Sequence, residues 1–314
     1  MRPGPGSLRL LLALLVVASH LSRIECGRIA VMIFFYLSGY WVTRTWDALG
    51  NTRRVLPFLA GRLARIFPLY WLVLAAEVTI HPQPANFLIF GLARGDPDPL
   101  GVSWSLDIEL QFYLLVPLLA CRRARHLLFP FAIVLATASW SIAQPGGART
   151  ILHYLPVFLL GALTHTRSWR PSHGAALASL AAFTAIGATV SLWPATHPLF
   201  DKTLADPIDR DVFAMLWMLP LLPFLAWLLT IPSSRADRNI GEASYALYLV
   251  HYPLIRLLAP AADDAKALVA LAAVGLAFLL WWLVDRPLCI WRRSPPDRFA
   301  RAEIQPDMAV DGNR

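Results

Sequence analysis

Long apolar runs, separated by short charged or Pro- and Gly-containing segments, dominate the pattern of this chain. The runs do not alternate between apolar and polar positions, so they predict helices rather than strands. A helix needs about 20 apolar residues to cross a bilayer. An extra apolar stretch, Asn86–Ala93, is too short to cross and is expected at a membrane interface. The predicted fold is an all-α integral membrane bundle of about ten transmembrane helices, at about 8–22, 28–43, 66–81, 103–121, 126–143, 150–165, 173–193, 212–231, 242–260 and 266–284.

The charged residues between these runs predict the orientation of the bundle. Arginines collect in alternate loops, whereas most of the acids lie in the loops between them. Cytoplasmic loops of membrane proteins are enriched in basic residues, so both termini are predicted to be cytoplasmic. An alternative interpretation makes the first run a cleaved signal peptide, which would leave nine spans and break the alternation. We expect one transmembrane domain over 1–290 and a disordered, polar cytoplasmic tail over 291–314.

Composition excludes several classes of protein. Of the 314 residues, 57% are hydrophobic and 15% are charged, with a mean hydropathy of +0.53, whereas soluble domains carry about 25% charged residues. A soluble enzyme, a disordered chain and a disulfide scaffold are therefore excluded. The net charge of +8 is attributed to membrane topology, and no pattern typical of nucleic-acid binding is present. Cysteine and histidine spacings predict no metal site.

Two ionisable residues of the first span lie on one stripe. Arg9 and His20 are eleven residues apart, which is about three helical turns and 16 Å. A guanidinium suits a phosphate, and an imidazole suits proton transfer, so the pair can hold a phosphorylated donor at one end and carry chemistry at the other. Alternatively, Arg9 is a topology-determining residue and His20 an interfacial one. Spacing alone favours this second interpretation.

Polar residues in two further spans are candidates because ionisable groups inside a membrane are costly. Ser105, Glu109 and Tyr113 share a helix face, at a depth near that of His20. A buried carboxylate needs a partner, and His20 is one candidate for it. Ser244, Tyr248 and His251 also share a face, which is typical either of a pore lining or of a satisfied core cluster. Arg62 and Arg65, just before the third predicted span, either bind phosphates or anchor topology.

Five blocks in this order resemble the acyltransferase-3 family of bacterial membrane acyltransferases. They resemble the family's Arg-x10-His opening, its FFxLSGY turn, and its RxxRIxPxYW, WSLxxExxFYxxxP and GxxSYxxYLxHxP motifs. An acidic residue followed by Arg-Pro after the last span is similar to the family's closing element. The matching segments are Arg9 with His20, 34–40, 62–71, 104–117, 241–253 and 285–287.

The resemblance implies O-acylation, usually O-acetylation, of an extracytoplasmic carbohydrate with cytoplasmic acyl-CoA as co-substrate. It implies a multi-pass protein of the bacterial cytoplasmic (inner) membrane without a permanently bound cofactor or metal, in the form that lacks an extracytoplasmic SGNH domain. His20 would act as a general base or take the acyl group itself, and Glu109 would orient its imidazole or balance its charge. Arg9, Arg62 and Arg65 would bind acyl-CoA, with Ser38, Trp104, Ser105, Tyr113, Tyr245, Tyr248 and His251 as supporting polar residues.

Some positions depart from the family pattern. Pro5-Gly6-Ser7 stands where the family has an acid and a glycine, and residues 28–32 lack the acid that commonly opens the second block. The rival hypotheses are a transporter or flippase of lipid-linked sugars and a non-catalytic scaffold. Transporters commonly show internal repeats, and none is evident in this sequence. The sequence does not identify the acceptor, the length of the acyl group or the oligomeric state. It also does not distinguish a covalent histidine relay from direct transfer.

Overall fold

Helices make up the regular structure of the described residues. The computed structural model describes residues 4–49, 55–77, 84–94, 98–119, 125–142, 149–201, 207–259 and 262–293. Within them, an isolated bridge between Ile24 and Asp201 is the one extended pairing. The helices are α1 Pro5–Leu21, α2 Gly27–Ala48, α3 Val55–Ala76, α4 Ser103–Leu119, α5 Arg125–Ile142, α6 Ile151–Thr166, α7 His173–Leu192, α8 Pro207–Met218, α9 Leu222–Leu228, α10 Arg235–Leu258, α11 Asp263–Leu280 and α12 Arg286–Arg293.

The predicted all-helical class is confirmed. Four helical stretches of the described residues are long and apolar enough to cross a membrane, namely Val55–Ala76, His173–Leu192, Arg210–Leu228 and Asp263–Cys289. Ten spans and the orientation of the termini stay predictions. The short stretch predicted at an interface forms two 3₁₀ turns, Pro84–Leu88 and Leu92–Arg94. The predicted tail lies outside the described residues from position 294 onward.

The start of the third helix differs from the prediction. The structure begins α3 at Val55, eleven residues before the predicted start, so Arg62 and Arg65 lie on the helix and not in the loop before it. Arginine is a good helix former, and its long stem packs along a helix while the guanidinium reaches a polar environment. Charge therefore marked the edge of the apolar run and not the edge of the helix.

Glycine allows α2 and α6 to cross closely. A Cβ atom on Gly39 would stand 2.0 Å from the Phe158 carbonyl oxygen, and one on Gly161 would stand 2.0 Å from the Tyr36 carbonyl oxygen. The backbones can approach this closely because neither glycine has a side chain. This crossing places α2, which carries Ser38, beside α4 and α6.

A carboxylate of α10 holds the start of α1. Asp237 accepts hydrogen bonds from the backbone N–H groups of Gly4, Gly6 and Ser7, at 2.8 to 3.1 Å, and from the Ser7 hydroxyl at 2.7 Å. These are donors that a helix N-terminus leaves without partners. Burial alone would raise the pKa of Asp237, but the hydrogen bonds from Ser7 and Gly6 outweigh it and lower the pKa. Asp237 thus caps the N-terminus of α1 from another helix.

A network of ion pairs ties α2, α6 and α8 together. Asp211 is fully buried and pairs with Arg28 and with Arg149, the latter at 3.1 Å. It also accepts a hydrogen bond of 2.8 Å from the Tyr154 hydroxyl. Because each charged oxygen has partners, the cost of burying the carboxylate is offset.

Candidate active site

A cavity of about 1030 Å³ lies between α1, α2, α3, α4 and α10. Its walls combine apolar side chains with several charged groups, and it extends from the first residues of α1 to the first turn of α4. A volume of this size accommodates a drug-sized or larger ligand. Nine of the twelve residues selected from the sequence line it, namely Arg9, Ser38, Arg62, Arg65, Ser105, Glu109, Tyr113, Tyr245 and Tyr248.

Five arginines line this cavity. Arg9 and Arg65 come from facing helices and lie in mutual electrostatic range. Arg62 donates a hydrogen bond to the Thr45 hydroxyl. Arg44 and Arg238 are exposed and also line the cavity. Guanidinium groups suit phosphate because they donate in a planar fork, so this lining favours a ligand with several phosphates.

Glu109 lies among these cations. Its Oε1 accepts hydrogen bonds of 2.6 Å from the Ser38 hydroxyl and 2.6 Å from the Tyr113 hydroxyl. It also lies in electrostatic range of Arg9 and Arg65. The contact with Tyr113 confirms the predicted shared face. The carboxylate takes these hydrogen bonds from α2 and from its own helix, and His20, the candidate partner named from the sequence, is not among their donors.

Two hydroxyl groups close the inner end of the cavity. The Ser105 and Tyr248 hydroxyls lie 2.7 Å apart and are buried. On the next turn of α10, Tyr245 donates a hydrogen bond of 2.8 Å to the Ile66 carbonyl, which fixes α10 against α3 beside Arg65. Both tyrosines thus lie on the side of α10 that lines the cavity.

His20 lies beyond this inner end and is not among the residues that line the cavity. Its ring contacts His251, with 5.2 Å between ring centroids, and packs edge-on against Tyr252 at 4.8 Å. His251 in turn contacts Tyr248 at 5.9 Å. A continuous path of contacts therefore leads from the cavity through Tyr248 and His251 to His20. Arg9 and His20 share helix α1, as predicted, but only Arg9 faces the cavity.

Trp104 lies apart from the cavity. Its indole packs against Tyr154, with ring centroids 6.0 Å apart, and beneath the Arg149 guanidinium at 5.1 Å. This arrangement joins Trp104 to the ion-pair network around Asp211. The role of Trp104 as a supporting residue of the site stays a prediction.

Several cavity residues escaped the sequence analysis. Arg44 and Arg238 belong to the basic loops that were interpreted only as topology signals, and Arg44 lies over the Trp41 ring at 5.1 Å. Glu242 lines the cavity and accepts a hydrogen bond of 3.3 Å from the Trp281 indole. Their positions could have indicated them, because Arg44 and Arg238 lie within four residues of a segment that resembles the family and Glu242 lies inside one.

Comparison with protein families gives a match over nearly the whole chain. Residues 4–286 match the model of a family described as an acyltransferase domain. The chain belongs to this acyltransferase family. The match covers every one of the predicted site residues, from Arg9 on α1 to His251 on α10.

Three relatives are similar at low identity. "Putative peptidoglycan O-acetyltransferase YrhL" of Bacillus subtilis is 26% identical, over 91% of this chain and 54% of its own length. "Peptidoglycan O-acetyltransferase OatA" of Listeria monocytogenes is 26% identical, over 88% of this chain and 53% of its own length. "Putative membrane-bound transacylase BcsY" of Komagataeibacter xylinus is 26% identical, over 78% of this chain and 71% of its own length. The chain spans about half the length of the first two. No solved structure matches.

Proposed function

We propose that this protein transfers an acyl group, usually acetyl, from acyl-CoA to a hydroxyl of an extracytoplasmic carbohydrate. The observation that carries the proposal is the arginine-lined cavity, from which ring contacts continue through Tyr248 and His251 to His20. Family membership and the names of the relatives support the reaction class. The acceptor class, a peptidoglycan or other polysaccharide, is taken from those names.

The proposal assigns the arginines to the donor. Coenzyme A carries phosphate groups, and charge-assisted hydrogen bonds from guanidiniums bind phosphate strongly. Arg9, Arg62 and Arg65 are assigned to these phosphates, and the exposed Arg44 and Arg238 extend the basic surface. Because basic residues mark the cytoplasmic side, acyl-CoA enters from the cytoplasm in this scheme.

His20 is assigned to the transfer itself. It acts either as a general base on the acceptor hydroxyl or as the residue that takes the acyl group before passing it on. For the thioester to reach it, the Ser105 and Tyr248 hydroxyls that now contact each other must move apart. Glu109 is assigned to the cavity, where it balances the charges of Arg9 and Arg65.

The proposed setting is the bacterial cytoplasmic membrane, with ten spans and both termini in the cytoplasm. Large apolar side chains on the outer faces of the helices are exposed and suit contact with lipid, among them Leu118, Leu192, Leu268 and Leu271. A reporter fused to the C-terminus tests the orientation. A reporter that is active only outside the cytoplasm should give no signal there.

The decisive experiment uses the full chain in membrane vesicles with isotope-labelled acetyl-CoA. His20→Ala should remove nearly all label transfer to the carbohydrate fraction, because general-base help is worth about 10² to 10⁴ in rate. Arg65→Ala should instead weaken coenzyme A binding. The exposed Arg170→Ala is the matched control for the loss of an arginine.

Two results would contradict the proposal. Wild-type transfer by His20→Ala, at equal protein level, would remove His20 from the mechanism. Wild-type protein that neither binds nor consumes acetyl-CoA would not be a transferase, and the transporter hypothesis would then replace this one.

A further inference from the structure

His251 is a buried imidazole with one nitrogen engaged and the other available. Its Nδ1 lies 3.1 Å from the carbonyl oxygen of Leu247. Because a carbonyl oxygen can only accept, Nδ1 is the donor and carries the hydrogen. In the neutral ring, Nε2 then holds a lone pair. Among the residues that the structure describes, this nitrogen has no hydrogen-bond partner, although His251 is completely buried.

Burying an acceptor such as Nε2 without a hydrogen-bond partner costs free energy. The groups around Nε2 therefore indicate which donor it could accept from. The ring nearest to His251 on another helix is His20, with 5.2 Å between centroids and 53° between the planes. At this separation, a rotation of the His20 ring brings one of its nitrogens within hydrogen-bond reach of Nε2. The other side of His251 contacts Tyr248, which lines the cavity.

The position of His20 is confined from the opposite side as well. Its ring packs edge-on against Tyr252. Tyr252 lies directly on Gly101, where an added Cβ would stand 2.1 Å from the tyrosine ring. Gly101 also has a positive φ of 70°, a conformation that favours glycine. The loop before α4 thus holds Tyr252, and His251 and Tyr252 together hold the His20 ring.

We propose that His251 is the positioning residue of His20 and accepts a hydrogen bond from it during acyl transfer. This inference rests on the proposed function. A base that is oriented by a third group is the general logic of such sites. Glu109 cannot take this role in the observed arrangement, because its hydrogen bonds come from Ser38 and Tyr113.

The proposed step balances as follows. The acceptor hydroxyl gives its proton to one nitrogen of His20 while its oxygen bonds to the acyl carbon. The carbon–sulfur bond breaks, and coenzyme A leaves as the thiolate. The N–H at the other nitrogen of the imidazolium donates to Nε2 of His251, which holds the ring in place. His20 then returns its extra proton to the thiolate.

Two substitutions separate this role from a structural one. In His251→Asn, the amide nitrogen can still donate to the Leu247 carbonyl, but no atom replaces Nε2. In His251→Gln, the longer side chain can bring an amide oxygen close to the position of Nε2. We expect His251→Asn to lower kcat about 10²-fold, as misplaced catalytic groups do, with an unchanged KM for acetyl-CoA. His251→Gln should recover most of the lost rate.

The measurement is label transfer from acetyl-CoA to the carbohydrate fraction in membrane vesicles, alongside the melting temperature of each purified variant. Wild-type kcat in His251→Asn would overturn the inference. Equal losses in both variants would also overturn it, because only a structural role treats them alike. If the wild-type protein transfers no label, the proposed function itself fails, so the two failures are distinguishable.

Discussion

Glu109 brings a negative charge into a cavity lined by five arginines. Its Oε1 accepts two hydrogen bonds from hydroxyl groups, and it faces Arg9 and Arg65. An acid in this position reduces the attraction that the arginines exert on a phosphorylated ligand. The same acid keeps the two guanidiniums from repelling each other when the cavity holds no ligand.

Substituting Glu109 by Gln should therefore strengthen coenzyme A binding. The amide oxygen can still accept from Ser38 and Tyr113, so the change isolates the charge. We expect the Kd of coenzyme A to fall about threefold to tenfold at low salt, or roughly 0.7 to 1.4 kcal/mol. Equilibrium binding to purified protein measures this. The exposed Asp47→Asn is the control, and weaker binding in Glu109→Gln would contradict the electrostatic argument.

At the scale of single residues, spacing predicted contacts within a helix but not between helices. The contact of Glu109 with Tyr113 follows from four-residue spacing, and the structure contains it. The contact of His20 with His251 joins residues 231 positions apart, on α1 and α10. The sequence pattern of α1 or of α10 does not tell which other helix each one packs against. The contact of His20 with His251 therefore could not be predicted from spacing.

At the scale of elements, the apolar runs predicted some helices closely and others less so. The helix α10 begins seven residues before the predicted 242, and the predicted span 212–231 is divided between α8 and α9. α4, α5, α6 and α7 begin within one residue of the predicted positions. α3 differs because the backbone continues through Arg62 and Arg65, whose charges had marked the edge of the run. Helix ends follow backbone hydrogen bonding, whereas hydropathy follows the environment of the side chains, and the two diverge where charged residues line a cavity.

The crossing of α2 and α6 gives a prediction at this scale. In Gly39→Ala, the new methyl group would collide with the Phe158 carbonyl, so the helices must separate. Overpacking of this kind costs about 1 to 3 kcal/mol, and the melting temperature of the purified protein should fall.

Gly275→Ala is the matched control for this substitution. An added Cβ at Gly275, on α11, meets no atom within 4 Å. Alanine favours a helix over glycine by about 1 kcal/mol, so this variant should be as stable as wild type or more so. Similar melting temperatures for the two variants would show that the crossing is not as tight as the structure indicates.

At the scale of the whole molecule, the ion-pair network around Asp211 joins segments that are distant in sequence. Its carboxylate contacts Arg28 on α2, Arg149 just before α6 and Tyr154 on α6. The apolar runs give no sign of this network, since its members lie at the ends of helices where charges are expected anyway.

Asp211→Asn should destabilise the whole bundle. The amide cannot neutralise Arg28 and Arg149, and breaking a buried ion pair costs about 3 to 5 kcal/mol. A large fall in the melting temperature is expected. Asp263→Asn, which removes an exposed carboxylate paired with Lys266, should change it little. Equal melting temperatures in the two variants would exclude a central role for the network.

The cap that Asp237 provides for α1 has a consequence for biosynthesis. The helix that carries His20 is synthesised well before α10, yet the carboxylate that fixes its start is 233 positions away from Gly4. Until α10 has been made and inserted, α1 lacks both this anchor and the imidazole that contacts His20. A nascent chain thus cannot assemble the surroundings of His20 until synthesis has passed residue 251.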